Sequence, residues 1–132
     1  MPQYTVGQAA ELLGVSADTV RRWADRGDLK VSRTSGGRRR LDGAGLARYA
    51  QSKAHPAWRD KAAPESARNR FPGLVTRVTK DKVMAQVEMQ SGPFRVVSLI
   101  SREAADEPAL APGSLVVATV KSTNVIIEIP NP

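Results

Sequence analysis

Residues 71–101 read FPGLVTRVTKDKVMAQVEMQSGPFRVVSLIS, and their apolar residues recur with a period of two. Ala85, Val87 and Met89 alternate with Gln86, Glu88 and Gln90. Successive side chains of a strand point to opposite faces, so this alternation predicts half-buried β-strands. Lys80-Asp81 and Ser91-Gly92 are turn signals that cut the stretch into three strands, residues 73–81, 82–90 and 93–101. Downstream, SLVVATVKS (114–122) and NVIIEI (124–129) continue the pattern, so five strands are expected. REAADEPALAPG (102–113) predicts one helical turn and a loop. Five short strands with tight turns predict a small OB-like barrel.

Upstream the period changes. TVGQAAELLG places Val6, Ala9, Ala10, Leu12 and Leu13 at helical spacing, with Thr5 to cap the start and Gly14 to end it. SADTVRRWADRG predicts a second helix, capped by Ser16 and closed at Gly27, with Val20, Trp23 and Ala24 on one face. LKVSR and RRRL flank TSGG and predict a short hairpin, and Asp42 can cap a last helix through GAGLARYAQSK. Residues 55–65, HPAWRDKAAPE, mix prolines, small residues and charge and read as a linker, with Trp58 expected to pack against a domain. The expected organisation is α+β, with a DNA-binding domain over 1–54, the linker over 55–65 and a barrel over 66–132.

Composition narrows the function. The chain has no cysteine and a single histidine, His55, which leaves little for disulfides, zinc ligation or His-based catalysis. No nucleophile–base pair, catalytic carboxylate pair or phosphate loop is visible, so an enzyme is not expected. No apolar run is long enough to span a membrane, and MPQYTVGQAAELLG lacks the apolar stretch of a signal peptide, so the cytoplasm is the expected compartment and no membrane partner is expected. The net charge is +7, and residues 1–54 hold ten Lys/Arg against five Asp/Glu, so most of the excess lies there. That asymmetry suits an anionic polymer such as DNA; on charge alone, a basic soluble surface fits equally well.

Two helices joined at Gly14-Val15 have helix-turn-helix spacing. Leu13 and Val15 would pack the turn, leaving Ala17, Asp18, Thr19, Arg21 and Arg22 exposed at the start of the second helix. Such a helix N-terminus can approach base edges and phosphates. The hairpin adds Arg33, Arg38, Arg39 and Arg40 beside it, in reach of phosphate or the minor groove. Residues 4–49, YTVGQAAELLGVSADTVRRWADRGDLKVSRTSGGRRRLDGAGLARY, resemble the MerR-like winged helix-turn-helix domains. The resemblance implies binding of double-stranded DNA, with Thr19, Arg21 and Arg22 on the recognition helix and Arg39 and Arg40 on the wing. Leu41 departs from the aromatic frequent after the arginines, and Arg38 from a frequent histidine.

Two polar pieces interrupt the barrel half: SARN (66–69) and KSTNV (121–125). They offer an arginine, a lysine, hydroxyls and backbone N–H groups, and no carboxylate. That chemistry suits a small dianion and not a metal cation, which would want carboxylates or imidazoles. Singly, each piece reads as a polar strand end or a solvated edge. SARNRFPGLVTRV, FRVVSLISREAADE and LAPGSLVVATVKSTNVII together resemble the molybdate-binding Mop/TOBE domain. The resemblance implies molybdate or tungstate held between subunits. Ser66, Ala67 through its N–H, and Arg68 would come from one chain, and Lys121 and Ser122 from its neighbour. Ser98 and Ser101 match positions near that site, while Asn69 and Asn124 are expected to fix turns. The metal would enter only as an oxyanion, without direct side-chain ligands.

The expected function is therefore a molybdate- or tungstate-responsive transcription regulator, a homo-oligomer that is a dimer or hexamer. Oxyanion storage or buffering, with the basic half as tether, is the alternative. An OB-like nucleic-acid binder is disfavoured because the strands offer only Phe71 and Phe94 for stacking.

Overall fold

The computed structural model describes residues 2–53 and 69–131. The expected linker, with His55 and Trp58, and the expected oxyanion residues Ser66, Ala67 and Arg68 lie outside the described residues. The chain divides into two compact units, residues 1–55 and 56–132.

In the first unit, β1 (Gln3–Tyr4), β2 (Val31–Arg33) and β3 (Arg39–Asp42) form an antiparallel sheet in the order β1-β3-β2. Three helices accompany it: α1 (Val6–Leu13), α2 (Ala17–Asp25) and α3 (Gly43–Lys53). Local chemistry explains the boundaries. Thr5 and Gln8 form a reciprocal capping box, with the Gln8 N–H donating to Thr5 Oγ1 at 3.1 Å and the Thr5 N–H to Gln8 Oε1 at 2.9 Å. Gly14 ends α1 with φ of 68°, a left-handed conformation that costs glycine nothing sterically. Ser16 caps α2 by accepting from the Thr19 N–H at 3.1 Å. Asp42 caps α3 by accepting from the Gly45 N–H at 2.9 Å. Ala9, Ala10, Val20, Leu29, Leu41 and Leu46 make the core, with Leu13, Val15 and Trp23 packed against it as expected. Strand β1, absent from the sequence reading, pairs Tyr4 with Leu41. A two-residue strand is too short to show periodicity.

In the second unit, β4 (Asn69–Lys80), β5 (Met84–Ser91), β6 (Phe94–Ser101) and β7 (Leu115–Val120) form one antiparallel sheet in the order β6-β5-β4-β7. It curls into a half-barrel, with a register shift between Val75 and Arg77 that bends β4. The short helix α4 (Arg102–Asp106) supplies the expected turn. Val75, Ala85, Val87 and Met89 are buried on the inner face, with Ala105 of α4. At Gly73 the strands approach so closely that a Cβ would meet the Gln90 carbonyl.

The expected fifth strand does not form among the described residues. After β7 a 3-10 turn, Ser122–Asn124, redirects the chain, and residues 125–131 have no ladder partner. Ile126, Ile127 and Ile129 are 88%, 86% and 92% exposed. Apolar patterning is satisfied only where an edge receives it, and this chain's own sheet does not pair with this segment. The correction is from a five-stranded barrel to a four-stranded half-barrel with an apolar tail.

Candidate functional sites

The N-terminal unit presents a polar surface on α2 and the β2–β3 hairpin. Thr19 Oγ1 lies 2.9 Å from Ser16 Oγ and accepts from Arg22 Nη2 at 3.1 Å. Arg21 Nη1 donates to Asp18 Oδ1 at 2.6 Å, and both residues are exposed. Arg21 and Arg22 therefore lie along the helix, each steadied by a residue three positions earlier. Ala17, expected on the exposed face, instead packs its methyl against the core. It starts the helix on the side that faces Val20 and Trp23.

The wing arginines have different environments. Arg33 Nη1 donates to the Gly37 carbonyl at 2.9 Å and so braces the turn. Thr34 accepts from the Arg38 N–H through its hydroxyl at 3.2 Å, and its own N–H donates to the Arg38 carbonyl at 2.9 Å. Arg38 is exposed at the mouth of the turn. Within β3, alternation puts Arg39 on the face of the buried Leu41 and Arg40 on the opposite face. Arg39 Nη2 lies 3.0 Å from Asp25 Oδ1, at the last residue of α2. Asp25 was not singled out in the sequence. The parity of Arg39 with Leu41 is the signal that could have found it.

In the C-terminal unit, residue 69 pairs with residue 120 across β4 and β7. Asn69 Nδ2 also donates to the Val120 carbonyl at 3.2 Å, so Asn69 ties two strands together and does not fix a turn as expected. The end of SARN and the start of KSTNV thus lie at the same end of one strand pair. Lys121 and Ser122 are exposed there, at the start of the 3-10 turn. Ser98 projects from β6 opposite Val87 and lines a 350 Å³ trough that Thr119 and Val120 also line. Ser101 accepts from the Ala104 N–H at 3.2 Å and caps α4, so that lone pair is committed to the fold.

Two carboxyls near α4 are shifted. Backbone N–H groups of Met84 and Val83 hold the Asp81 carboxyl below its ordinary value. The Lys80 ammonium, with Arg102, does the same for Asp106. Both carboxylates brace the β4–β5 turn and α4. Among the described residues no three acidic or metal-ligating side chains cluster as a metal site would need, and no helix is long and apolar enough to cross a membrane.

Residues 4–54 match the helix-turn-helix domain family, and residues 65–127 match the TOBE domain family. The chain joins a helix-turn-helix domain to a TOBE domain. About half of the chain aligns with several solved proteins. One is described as a molybdate-binding protein from Sporomusa ovata, at 28% identity over 51% of this chain and 100% of that one, with a TM-score of 0.48. MopII from Clostridium pasteurianum aligns at 34% identity over 50% of this chain and 100% of its own, with a TM-score of 0.46. The cytoplasmic molybdate-binding protein ModG aligns at 33% identity over 54% of this chain, with a TM-score of 0.47, and this chain spans 51% of its length. No curated protein matches the chain.

Proposed function

We propose that this protein is a one-component regulator that binds DNA through its helix-turn-helix domain and responds to molybdate or tungstate bound by its TOBE domain. The observation that carries the reading is the pairing of the two domains in one chain, supported by the pairing of Asn69 with Val120, which puts Lys121 next to the start of β4. A tetrahedral dianion accepts hydrogen bonds and favours cations opposite it, which Arg68 and Lys121 would supply beside the Ser66 and Ser122 hydroxyls and the Ala67 N–H. Ser98 is the better placed of the two outlying serines, because it shares a trough with the end of β7. Two of the aligned proteins are described as molybdate-binding, and one of these as cytoplasmic, in keeping with an oxyanion ligand and the same compartment here. Neither family is named for a reaction, and the reading needs no catalytic step.

Arg21, Arg22, Arg38 and Arg40 are the cations of the DNA-facing surface, with Thr19 beside Arg22. Oligomerisation would place two such modules at a set spacing, and the apolar tail after β7 supports assembly through the TOBE half. Ligand bound between subunits would then shift DNA binding by its differential affinity for the two arrangements.

Isothermal calorimetry with molybdate, tungstate and sulfate tests the oxyanion half. Lys121→Ala should abolish micromolar binding of the first two and leave circular dichroism unchanged; undiminished affinity would overturn the site. Salt-dependent binding of a DNA duplex tests the other half. Oxyanion binding without DNA binding at low salt would favour the buffering role.

A further inference from the structure

We infer that Arg39 is a positioning residue rather than a phosphate contact, tying the wing strand β3 to the end of α2 through Asp25. The inference rests on the DNA-binding reading for its consequence, but its geometry stands independently. The Arg39–Asp25 pair spans two elements far apart in sequence, with Nη2 and Oδ1 3.0 Å apart. The Arg39 side chain is only 29% exposed, and its Nη1 is buried without an acceptor among the described residues. A guanidinium so placed lies along the domain and does not reach outward.

Helix chemistry points the same way. Asp25 is the last residue of α2, where the helix dipole presents partial negative charge. A carboxylate there is unfavourable unless a cation answers it, and Arg39 is that cation. Strand alternation then sorts the run Arg38-Arg39-Arg40. Arg39 shares the face of Leu41 and points at the helices, leaving Arg40 on the other face, while Arg38 precedes the strand in the exposed turn. The wing and recognition helix are two separate DNA-contacting surfaces in the proposed function. Their relative placement decides whether both engage one duplex, and the ion pair adds a direct tie between them beside the shared core at Leu41 and Val20.

The test uses the full chain and the variants Arg39→Gln, Asp25→Asn and Arg40→Gln, with a fluorescein-labelled mixed-sequence DNA duplex titrated over a series of salt concentrations. Arg39→Gln and Asp25→Asn should each weaken binding on the order of two- to five-fold, as loss of a partly exposed ion pair does. The double variant should be no weaker than either single one. Arg40→Gln should instead make the slope of log affinity against log salt shallower by about 0.9, the mark of one lost phosphate contact. The sign for Asp25→Asn decides the matter, because removing a carboxylate from a surface facing DNA should otherwise tighten binding. Tighter binding by Asp25→Asn, or a flattened salt slope in Arg39→Gln, would overturn the inference.

A second arm needs no DNA. Hydrogen exchange of the Thr34 amide, bonded to the Arg38 carbonyl in the wing, should quicken about two- to five-fold in Arg39→Gln and Asp25→Asn but not in Arg40→Gln. The charge swap Asp25→Arg with Arg39→Asp should restore protection. Unchanged exchange in both single variants would overturn the tie. Wild-type protein that fails to bind the duplex at low salt would remove the DNA reading, and the exchange arm would still decide the ion pair.

Discussion

The tail after β7 makes the most demanding prediction. Ile126, Ile127 and Ile129 are 86–92% exposed in the single chain, so almost the whole side chain of each is available for burial. Full burial of an isoleucine is worth about 1.5–3 kcal/mol, giving about 5–9 kcal/mol for each tail placed against another subunit. Association itself costs about 4–15 kcal/mol, and two such tails, at about 9–18 kcal/mol together, would offset most or all of that cost. Replacing one buried isoleucine by serine would remove about 1.5–3 kcal/mol per tail, or about 3–6 kcal/mol for a two-tailed dimer. Ile127→Ser should therefore weaken association roughly a hundred- to ten-thousand-fold. Light scattering across a dilution series reads this directly as a fall in mass at progressively higher concentrations. The triple change of Ile126, Ile127 and Ile129 to serine should be monomeric throughout, with circular dichroism unchanged because these side chains pack on nothing within their own chain. If the triple variant keeps the wild-type mass at every dilution, the tail does not hold the oligomer and the reasoning fails.

Three further outcomes test the two domains. Gly73→Ala forces a methyl against the Gln90 carbonyl and to 2.9 Å from Met89 Cε, and urea unfolding should show a loss of about 3 kcal/mol or more, since a ladder strand must move; a loss within error would refute the close approach. Leu41→Ala empties a fully buried position where both wing strands and the helices meet, and should cost about 2–5 kcal/mol in thermal or urea unfolding of the full chain; a change under about 1 kcal/mol would mean that the site collapses freely. The Asp81 and Asp106 carboxyls sit below the ordinary value of 3.8, so their contribution is present above the usual carboxylate range and is lost as pH falls through the lowered folded values. Asp106→Asn should flatten that acid limb of stability, and an unchanged limb would show that Lys80 and Arg102 do not favour its charged form.

Much of the fold is legible in the sequence because it rests on short-range chemistry. Thr5 with Gln8, Ser16 and Asp42 each act within three residues, and Gly14 closes α1 by its own backbone freedom. The alternation of Ala85, Val87 and Met89 names the inner face of β5 before any partner is known. Donor-rich, carboxylate-free chemistry in SARN and KSTNV is likewise a property of residue types, and the order of motifs is enough to separate a helix-turn-helix half from a TOBE half. What the sequence could not decide depends on which edges and faces meet. Period-two patterning in NVIIEI asks for a strand partner, but only the arrangement β6-β5-β4-β7 shows that its own sheet leaves it unpaired. Arg38, Arg39 and Arg40 are chemically alike on the page. The register that pairs Leu41 with Val31 and Tyr4 turns Arg39 inward to Asp25 and Arg40 away, because in a strand one residue's step is the difference between two faces.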